Sequence, residues 1–224
     1  MALDKDIVGS IEFLEVEGLQ GSTYLLKGPN GEQVKLNQSE VADEDEFEIG
    51  EEYSFFVYPN RSGELFATQN MPDITKDKYD FAKVLKTDRD GARIDVGLPR
   101  EVLVPWEDLP KIKELWPQAG DYLLVTLRID SNNQMFGRLA SETIVEGMFT
   151  PVMDDSKQNE MIEARAYRLL RVGSFLLSED GYKIFVHESE RKQEPRLGEK
   201  VEVRIIGHND KGELNGSFLP LAHD

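Results

Sequence analysis

The chain has 224 residues, no cysteine, and 26 basic against 43 acidic side chains, which gives a net charge of −17. The lack of cysteine excludes disulfides, thiolate metal sites and cysteine nucleophiles, and three histidines are too few for a histidine-rich metal centre. No secretory signal opens the chain, and no apolar run is long enough to span a membrane. These features predict a soluble, cytoplasmic protein with no membrane partner.

One strand-rich unit recurs three times along the chain. Each copy contains an alternating run that opens with glycine and an acidic residue, at Gly50, Gly120 and Gly198. A polar turn follows the run, and the turns at 60–65 and 209–214 match closely. Alternation of apolar and polar residues is the pattern of a half-buried strand, so each run predicts a strand that leads into a hairpin.

The segments before each run also predict strands. In the first copy a turn at Pro29-Asn30-Gly31 separates two of them, and in the second copy the turn is the longer Gly97-Leu98-Pro99. The third copy predicts strands over 162–172, 174–178 and 182–187. Its Asp180-Gly181 turn supplies the positive φ that a two-residue hairpin requires.

Each copy therefore contains five short strands, with a polar break between the third and the fourth. This pattern predicts an all-β fold of three tandem five-stranded OB-fold (Greek-key) barrels. The expected modules cover residues 1–71, 72–141 and 161–224, and 142–160 forms a linker. A short helix is expected near Glu142 to Met148, within a linker whose simplest interpretation is a passive connection.

Specific residues of the third unit then resemble a known module. They are Gly173-Ser174-Phe175-Leu176, the stretch Phe185-Val186-His187-Glu188-Ser189-Glu190, and Gly198-Glu199. Together they resemble the RNA-binding OB module named after the largest small-subunit ribosomal protein. The whole chain resembles the conserved virulence factor B family of Gram-positive bacteria, on the residues from Gly97 to Trp106, Trp116-Pro117 and Gly120-Asp121.

The family resemblance implies a cytoplasmic RNA-binding regulator of gene expression, associated with virulence and built of three tandem OB modules. It also implies a winged-helix domain beyond the third module, which is absent from a chain that stops at Asp224.

RNA recognition by such a barrel needs flat aromatic rings for bases and donors for phosphate or base edges. Alternation turns Leu176, Ile184 and Val186 into the third barrel, which leaves their neighbours on the outer face. We therefore predict an RNA-binding set on and beside these strands: Phe175, Phe185, His187, Lys183, Asn209 and Lys211. The alternative is that the two phenylalanines pack under the linker or against the second unit.

The first two units lack this aromatic set. Where the third unit has Phe175, the first has Thr23 and the second has Arg93. Arg93, Arg100 and Arg128 are candidates for secondary RNA contacts, with simple solvation as the alternative. The two tryptophans, Trp106 and Trp116, are expected to be packing anchors under the loop between the third and fourth strands.

No catalytic motif is present. There is no glycine-rich phosphate loop, and the acidic run Asp43 to Glu48 lacks calcium-loop spacing, so it predicts a solvated face. We therefore expect a non-enzymatic protein without metal, cofactor or small-molecule substrate, whose partner is single-stranded RNA. The alternative is a protein-interaction scaffold that docks on the ribosome or another protein, with incidental RNA binding.

The acidity is unevenly distributed. Residues 1–71 hold 4 basic and 15 acidic residues, a net charge of −11, whereas residues 159–224 hold 10 and 12, a net charge of −2. Phosphate repels acidic surfaces, so the first module is not expected to contact RNA. Binding by the near-neutral third module should be dominated by stacking and depend only weakly on salt.

Overall fold

A computed structural model of the protein describes residues 7–42 and 46–221. Residues Asp43, Glu44 and Asp45 of the acidic run lie outside the described residues, and so does His223. Within the described ranges, no helix is long and apolar enough to cross a bilayer.

Three closed barrels of five strands follow one another along the chain. The first consists of β1 (Ile11–Gln20), β2 (Thr23–Lys27), β3 (Gln33–Asn37), β4 (Glu52–Pro59) and β5 (Leu65–Thr68). The middle barrel consists of β6 (Asp80–Asp88), β7 (Gly91–Asp95), β8 (Val102–Pro105), β9 (Tyr122–Ile129) and β10 (Met135–Leu139). The third consists of β11 (Met161–Leu170), β12 (Gly173–Ser178), β13 (Lys183–His187), β14 (Lys200–His208) and β15 (Leu214–Ser217).

In each barrel the first three strands are neighbours in chain order, and the fifth strand lies between the third and the fourth. In the third barrel the fifth strand pairs in parallel with the third, and Ile184 faces Leu214. This arrangement is the Greek-key order of an OB fold. The prediction of an all-β protein with three five-stranded OB barrels is therefore confirmed.

By the density of its backbone packing, the chain divides into two compact units. The first comprises the described residues of Met1–Asp80, together with Arg93–Val104 and Val125–Arg138. The second comprises Phe81–Ala92 and Pro105–Leu124, together with the described residues of Leu139–Asp224.

The barrel cores follow the alternation in the sequence. In the third barrel the residues predicted to point inward, Leu176, Ile184 and Val186, are fully buried. The core of the first barrel is built in the same way, with Leu26 and Leu36 buried. Burial of one side of each strand fixes the register, because a slip by one residue would turn every core side chain outward.

The matching polar turns between the fourth and fifth strands share one hydrogen-bonding pattern. The side-chain oxygens of Asn60, Asp130 and Asn209 each accept two backbone N–H bonds, from the residues two and four positions later, at 2.9–3.0 Å. Such a bond replaces the backbone partners that a turn lacks. The repeat seen in the sequence is therefore a repeat of turn chemistry.

The segment between the second and third barrels is not a passive linker. A helix, α1 (Glu142–Glu146), forms where the sequence predicted one, and the Ser141 hydroxyl caps it by accepting from the Ile144 N–H at 3.4 Å. Val145 is fully buried, and Val152 belongs to the core of the third barrel. The segment therefore packs as part of the third barrel.

The two tryptophans differ from each other. The Trp116 indole N–H donates to the Pro110 carbonyl at 2.7 Å, so this side chain anchors the connection between β8 and β9 as predicted. Trp106 is 54% exposed, and its prediction as a buried anchor is wrong. Its backbone instead starts a 3-10 turn, Trp106–Asp108, which ends the strand and leaves the ring outside.

Candidate nucleic-acid interface

The outer side of β12 and β13 carries three adjacent rings. Phe175 and Phe185 are register partners with ring centroids 4.9 Å apart, and His187 follows at 6.3 Å from Phe185. Both phenylalanines are half-buried and His187 is exposed. We call Phe175, Phe185 and His187 the aromatic face.

Gly173 makes room for this arrangement. It pairs with His187 across the two strands, and a Cβ atom at Gly173 would lie 2.5 Å from Cζ of Phe185 and 2.4 Å from the Val186 carbonyl oxygen. The Phe185 ring therefore lies over the bare glycine backbone. Any larger residue at Gly173 would displace the ring or open the strand pair.

Strand β11 adds two residues that the sequence analysis missed. A bulge between Ala166 and Arg168 shifts the register, so that Arg168 faces Phe175 and its guanidinium lies 5.6 Å from that ring. The Tyr167 ring lies 6.2 Å from Phe175. Simple alternation could not find these residues, because a bulge breaks the two-residue period.

Lys183 does not face solvent as predicted. Its side chain is only 3% exposed, and its ammonium forms ion pairs with Glu142 of α1 and, at 3.3 Å, with Glu213. The ammonium also lies 5.4 Å from the Phe175 ring. This cation therefore holds α1 and the β14–β15 turn against the back of the aromatic face and is not available to a phosphate.

The charge states of this cluster follow from its partners. Burial alone would lower the pKa of Lys183, but hydrogen bonds and charge from Glu142 and Glu213 outweigh burial and raise that pKa above its usual value. Burial, aided by the charge of Glu142, raises the pKa of the Tyr167 phenol far above its usual value. Tyr167 therefore stays protonated and donates to Glu142 at 3.2 Å.

His187 makes a local contact that spacing alone could not establish. Its Nδ1 accepts from the Ser189 N–H at 3.1 Å and lies 2.8 Å from the Ser189 hydroxyl, so it caps the 3-10 turn Glu188–Glu190. This bond directs Nε2 away from the turn. In the described part of the chain, no group of three or more histidine or acidic side chains is placed to hold a metal ion.

The remaining predicted residues of the third barrel lie on the β14–β15 turn. Lys211 is exposed there. Asn209 uses its side-chain oxygen to shape the turn, as Asn60 does in the first barrel, which has no aromatic face. The Asn209 oxygen thus serves the fold.

Two of the three arginines predicted as secondary RNA contacts, Arg100 and Arg128, instead form hydrogen bonds to backbone carbonyls. Arg100 donates to the Pro59 carbonyl at 2.8 Å, and burial, followed by the charge of Arg61, lowers its pKa. Arg128 donates to the Lys76 carbonyl at 3.0 Å. Both guanidinium groups hold backbone carbonyls, which differs from the expectation of phosphate contacts. Arg93 lies on β7, two residues after Gly91, as Phe175 lies two residues after Gly173 on β12.

The pairing of β2 with β3 in the first barrel shows that Thr23 is not the residue equivalent to Phe175. Leu25 pairs with Lys35 as Phe175 pairs with Phe185, so Leu25 and not Thr23 occupies the position of Phe175. The Lys35 ammonium is bound to Glu64 at 3.2 Å. The first barrel still has no ring at these two positions.

Comparison with known sequence families agrees with this architecture. Residues 8–70 match the S1 domain, residues 79–138 match the first S1-like domain of CvfB, and residues 148–220 match the second domain of the virulence regulatory factor CvfB. Over all 224 residues the chain is 91% identical to conserved virulence factor B of Staphylococcus epidermidis, and covers 75% of that protein. The chain belongs to the conserved virulence factor B family.

Other members of this family are nearly as similar. Conserved virulence factor B of Staphylococcus haemolyticus is 87% identical, and that of Staphylococcus aureus is 86% identical, each over the whole chain and 75% of the relative. The resemblance to this family drawn from the sequence is therefore confirmed.

A solved structure shares the fold. It is a multidomain protein with nucleic acid binding domains from Streptococcus pneumoniae, 28% identical, with a TM-score of 0.84 over 98% of this chain and 76% of that one.

Proposed function

We propose that this chain is a non-enzymatic, cytoplasmic regulator of gene expression that binds single-stranded RNA through the aromatic face. One observation carries the proposal: adjacent rings on the outer side of two paired strands, with the Arg168 guanidinium beside them. Unpaired bases stack on such rings, and each stacked base contributes roughly 1–3 kcal/mol. The nucleic acid binding domains named for the Streptococcus pneumoniae protein support the same class of partner.

Each residue has a defined role in this proposal. Phe175 and Phe185 stack on successive bases, and His187 offers Nε2 to a base edge. The exposed Lys211 contacts phosphate, and so does Arg168, whose side chain is 39% exposed although it also pairs with Glu142 at 3.2 Å. Lys183 is a positioning residue, because its ion pairs hold the neighbouring elements in place.

The charges set the expected salt dependence. Only two cations, Arg168 and Lys211, are assigned to phosphates, and binding to a single strand loses affinity with a slope of about −0.7 per phosphate contact. The contribution of Arg168 and Lys211 to the slope of log K against log salt should therefore be about −1.4. A much steeper slope would require many more phosphate contacts than the third barrel offers.

Fluorescence anisotropy with a labelled single-stranded RNA tests the site. Phe175→Ala and Phe185→Ala should each weaken binding by roughly 5- to 150-fold, which corresponds to one lost stacked base. Phe13→Ala is the matched control, since it removes a 69% exposed ring from the acidic first barrel. Equal losses in all three variants, or no loss in the first two, would refute the assignment.

A scaffold function is the second candidate, because the first barrel carries an exposed apolar pair. Ile11 and Phe13 project from the same side of β1 and are 47% and 69% exposed. Co-sedimentation with ribosomes separates the two functions. If Phe13→Ala abolishes sedimentation and Phe175→Ala does not, the first barrel docks on the ribosome independently of the aromatic face.

A further inference from the structure

The middle barrel presents an outer face on three neighbouring strands. Strands β7, β8 and β10 are adjacent in the barrel, and Phe136 of β10 is the register partner of Leu103 of β8. A Cβ atom on Gly137 would lie 3.0 Å from Val104 and 3.1 Å from Ile94, which are both fully buried. Gly137 therefore points inward, and the residues on either side of it point outward.

The same alternation identifies the members of this face. Arg93 precedes the buried Ile94, and Leu103 precedes the buried Val104, so both lie on the outer side of their strands. We call the following four residues the middle-barrel face: Arg93, Leu103, Phe136 and Arg138.

At the centre of the middle-barrel face, the cationic side chain of Arg138 lies beside the aromatic ring of Phe136. The Arg138 guanidinium lies 5.4 Å from the centroid of the Phe136 ring. Arg138 is exposed and Phe136 is half-buried. Among the described residues, Arg138 has no carboxylate partner. A half-buried ring with an unneutralised guanidinium beside it offers a base a stacking surface and its phosphate a charge.

The other barrels lack this combination at the equivalent positions. The first barrel has a ring, Phe66, beside Lys35, but Glu64 neutralises that lysine, and the buried Thr68 takes the place of Arg138. The third barrel has Asn215 in the place of Phe136. The ring and cation of the middle barrel are thus specific to it.

We propose that the middle-barrel face is a second binding site for single-stranded RNA, in which a base stacks on Phe136 and Arg138 contacts the adjacent phosphate. The ring comes from the fifth strand, whereas the aromatic face takes its rings from the second and third strands. The inference rests on the proposed function in that both sites bind the same class of ligand. The two sites share no residue, so each can fail without the other.

Ultraviolet crosslinking of the full 224-residue chain to a labelled 24-nucleotide single-stranded RNA tests the second site. After digestion with trypsin, the middle-barrel face is reported by the peptide 129–138, which contains Phe136, and the aromatic face by the peptides 172–183 and 184–191. We expect RNA adducts on 129–138 in the wild-type chain and also in a Phe175→Ala, Phe185→Ala double variant.

The pattern of adducts separates the two proposals. Adducts on 172–183 and 184–191 without any on 129–138 would overturn the second site and leave the proposed function intact. Adducts on 129–138 alone would support the second site and refute the aromatic face.

Affinity measurements provide the second readout. Phe136→Ala should weaken binding of the 24-nucleotide RNA by roughly 5- to 150-fold, as expected for one lost stacking contact. Arg138→Ala should reduce the salt slope by about 0.7. Lys83→Ala is the matched control, because it removes the same charge from β6 of the same barrel. If Lys83→Ala and Arg138→Ala change the slope equally, the effect is one of net charge and the second site is refuted.

Discussion

Replacing Lys183 by methionine removes the buried cation and keeps the length and apolar stem of the side chain. The Lys183 side chain is 3% exposed, and its partners Glu142 and Glu213 are 22% and 15% exposed. Removing one partner of a fully buried ion pair costs about 3–5 kcal/mol. Glu142 keeps Arg168 at 3.2 Å and both carboxylates keep some water, so we expect a loss of about 2–3 kcal/mol in the unfolding free energy of the third barrel.

Thermal and urea unfolding, followed by far-ultraviolet circular dichroism, measure this loss. The matched control is Lys200→Met, which breaks the pair between Lys200 and Glu163, whose side chains are 53% and 59% exposed. An exposed pair of this kind contributes less than about 1 kcal/mol. If the two variants lose the same stability, the buried cluster does not hold the barrel together and the reasoning is wrong.

The pH dependence checks the same interaction independently. Because the pKa of Lys183 is raised in the folded chain, its contribution is fully present below the unfolded lysine pKa of about 10.4 and is lost as the pH rises through the higher folded value. The stability difference between wild type and Lys183→Met should therefore be constant from about pH 7 to 9.5 and shrink above about pH 10.5. A difference that shrinks below pH 9 would contradict the charge assignment.

Two glycine substitutions give further predictions. Gly173→Ala should displace the Phe185 ring and weaken RNA binding in the anisotropy assay as much as Phe185→Ala does; unchanged binding would show that the ring position is not set by Gly173. Gly216→Ala places a methyl group 2.4 Å from Val203 in the core and should destabilise the third barrel by about 1–3 kcal/mol in urea unfolding. Gly207→Ala, with no neighbour within 4 Å, is its control and should cost clearly less.

The fold was predictable because its determinants are local. Alternation identified the strands, and Asp180-Gly181 and the repeated polar turns identified the hairpins. The prediction that Ile184 and Val186 point into the third barrel is correct for the same reason, because the buried side of a strand fixes its register. The sequence placed Thr23 at the position equivalent to Phe175, because the sequence alone does not show which residues pair across the strands. In the structure Leu25 occupies that position, since it pairs with Lys35.

The site was predictable only in part, because its remaining features depend on contacts between distant segments. Lys183 looks like an outward cation in the sequence, yet its partner Glu142 lies 41 positions earlier and reaches it only because α1 packs on the barrel. Arg168 lies beside Phe175 because a bulge shifts the register of β11, and the alternation of inward and outward residues cannot predict a bulge. Phe136 was overlooked because the comparison of units covered the second and third strands and not the fifth.

The structure also explains how a chain of net charge −17 can present cationic faces. Several carboxylates of the second and third barrels are paired with cations that are not assigned to RNA: Glu142 and Glu213 with Lys183, and Asp121 with Arg196 at 3.1 Å. These pairs cancel charge inside the protein. Arg138 beside Phe136 then sets the local potential of the middle-barrel face, whereas Arg168 beside Phe175 also pairs with Glu142. Net charge therefore governs the approach of RNA at long range, where salt screens it beyond about 10 Å, whereas the local arrangement of rings and guanidinium groups governs binding. At low salt, the long-range repulsion between RNA and the net negative charge would dominate a binding measurement. Affinities for the two faces should therefore be compared at an ionic strength near 0.15 M, where the Debye length is about 8 Å.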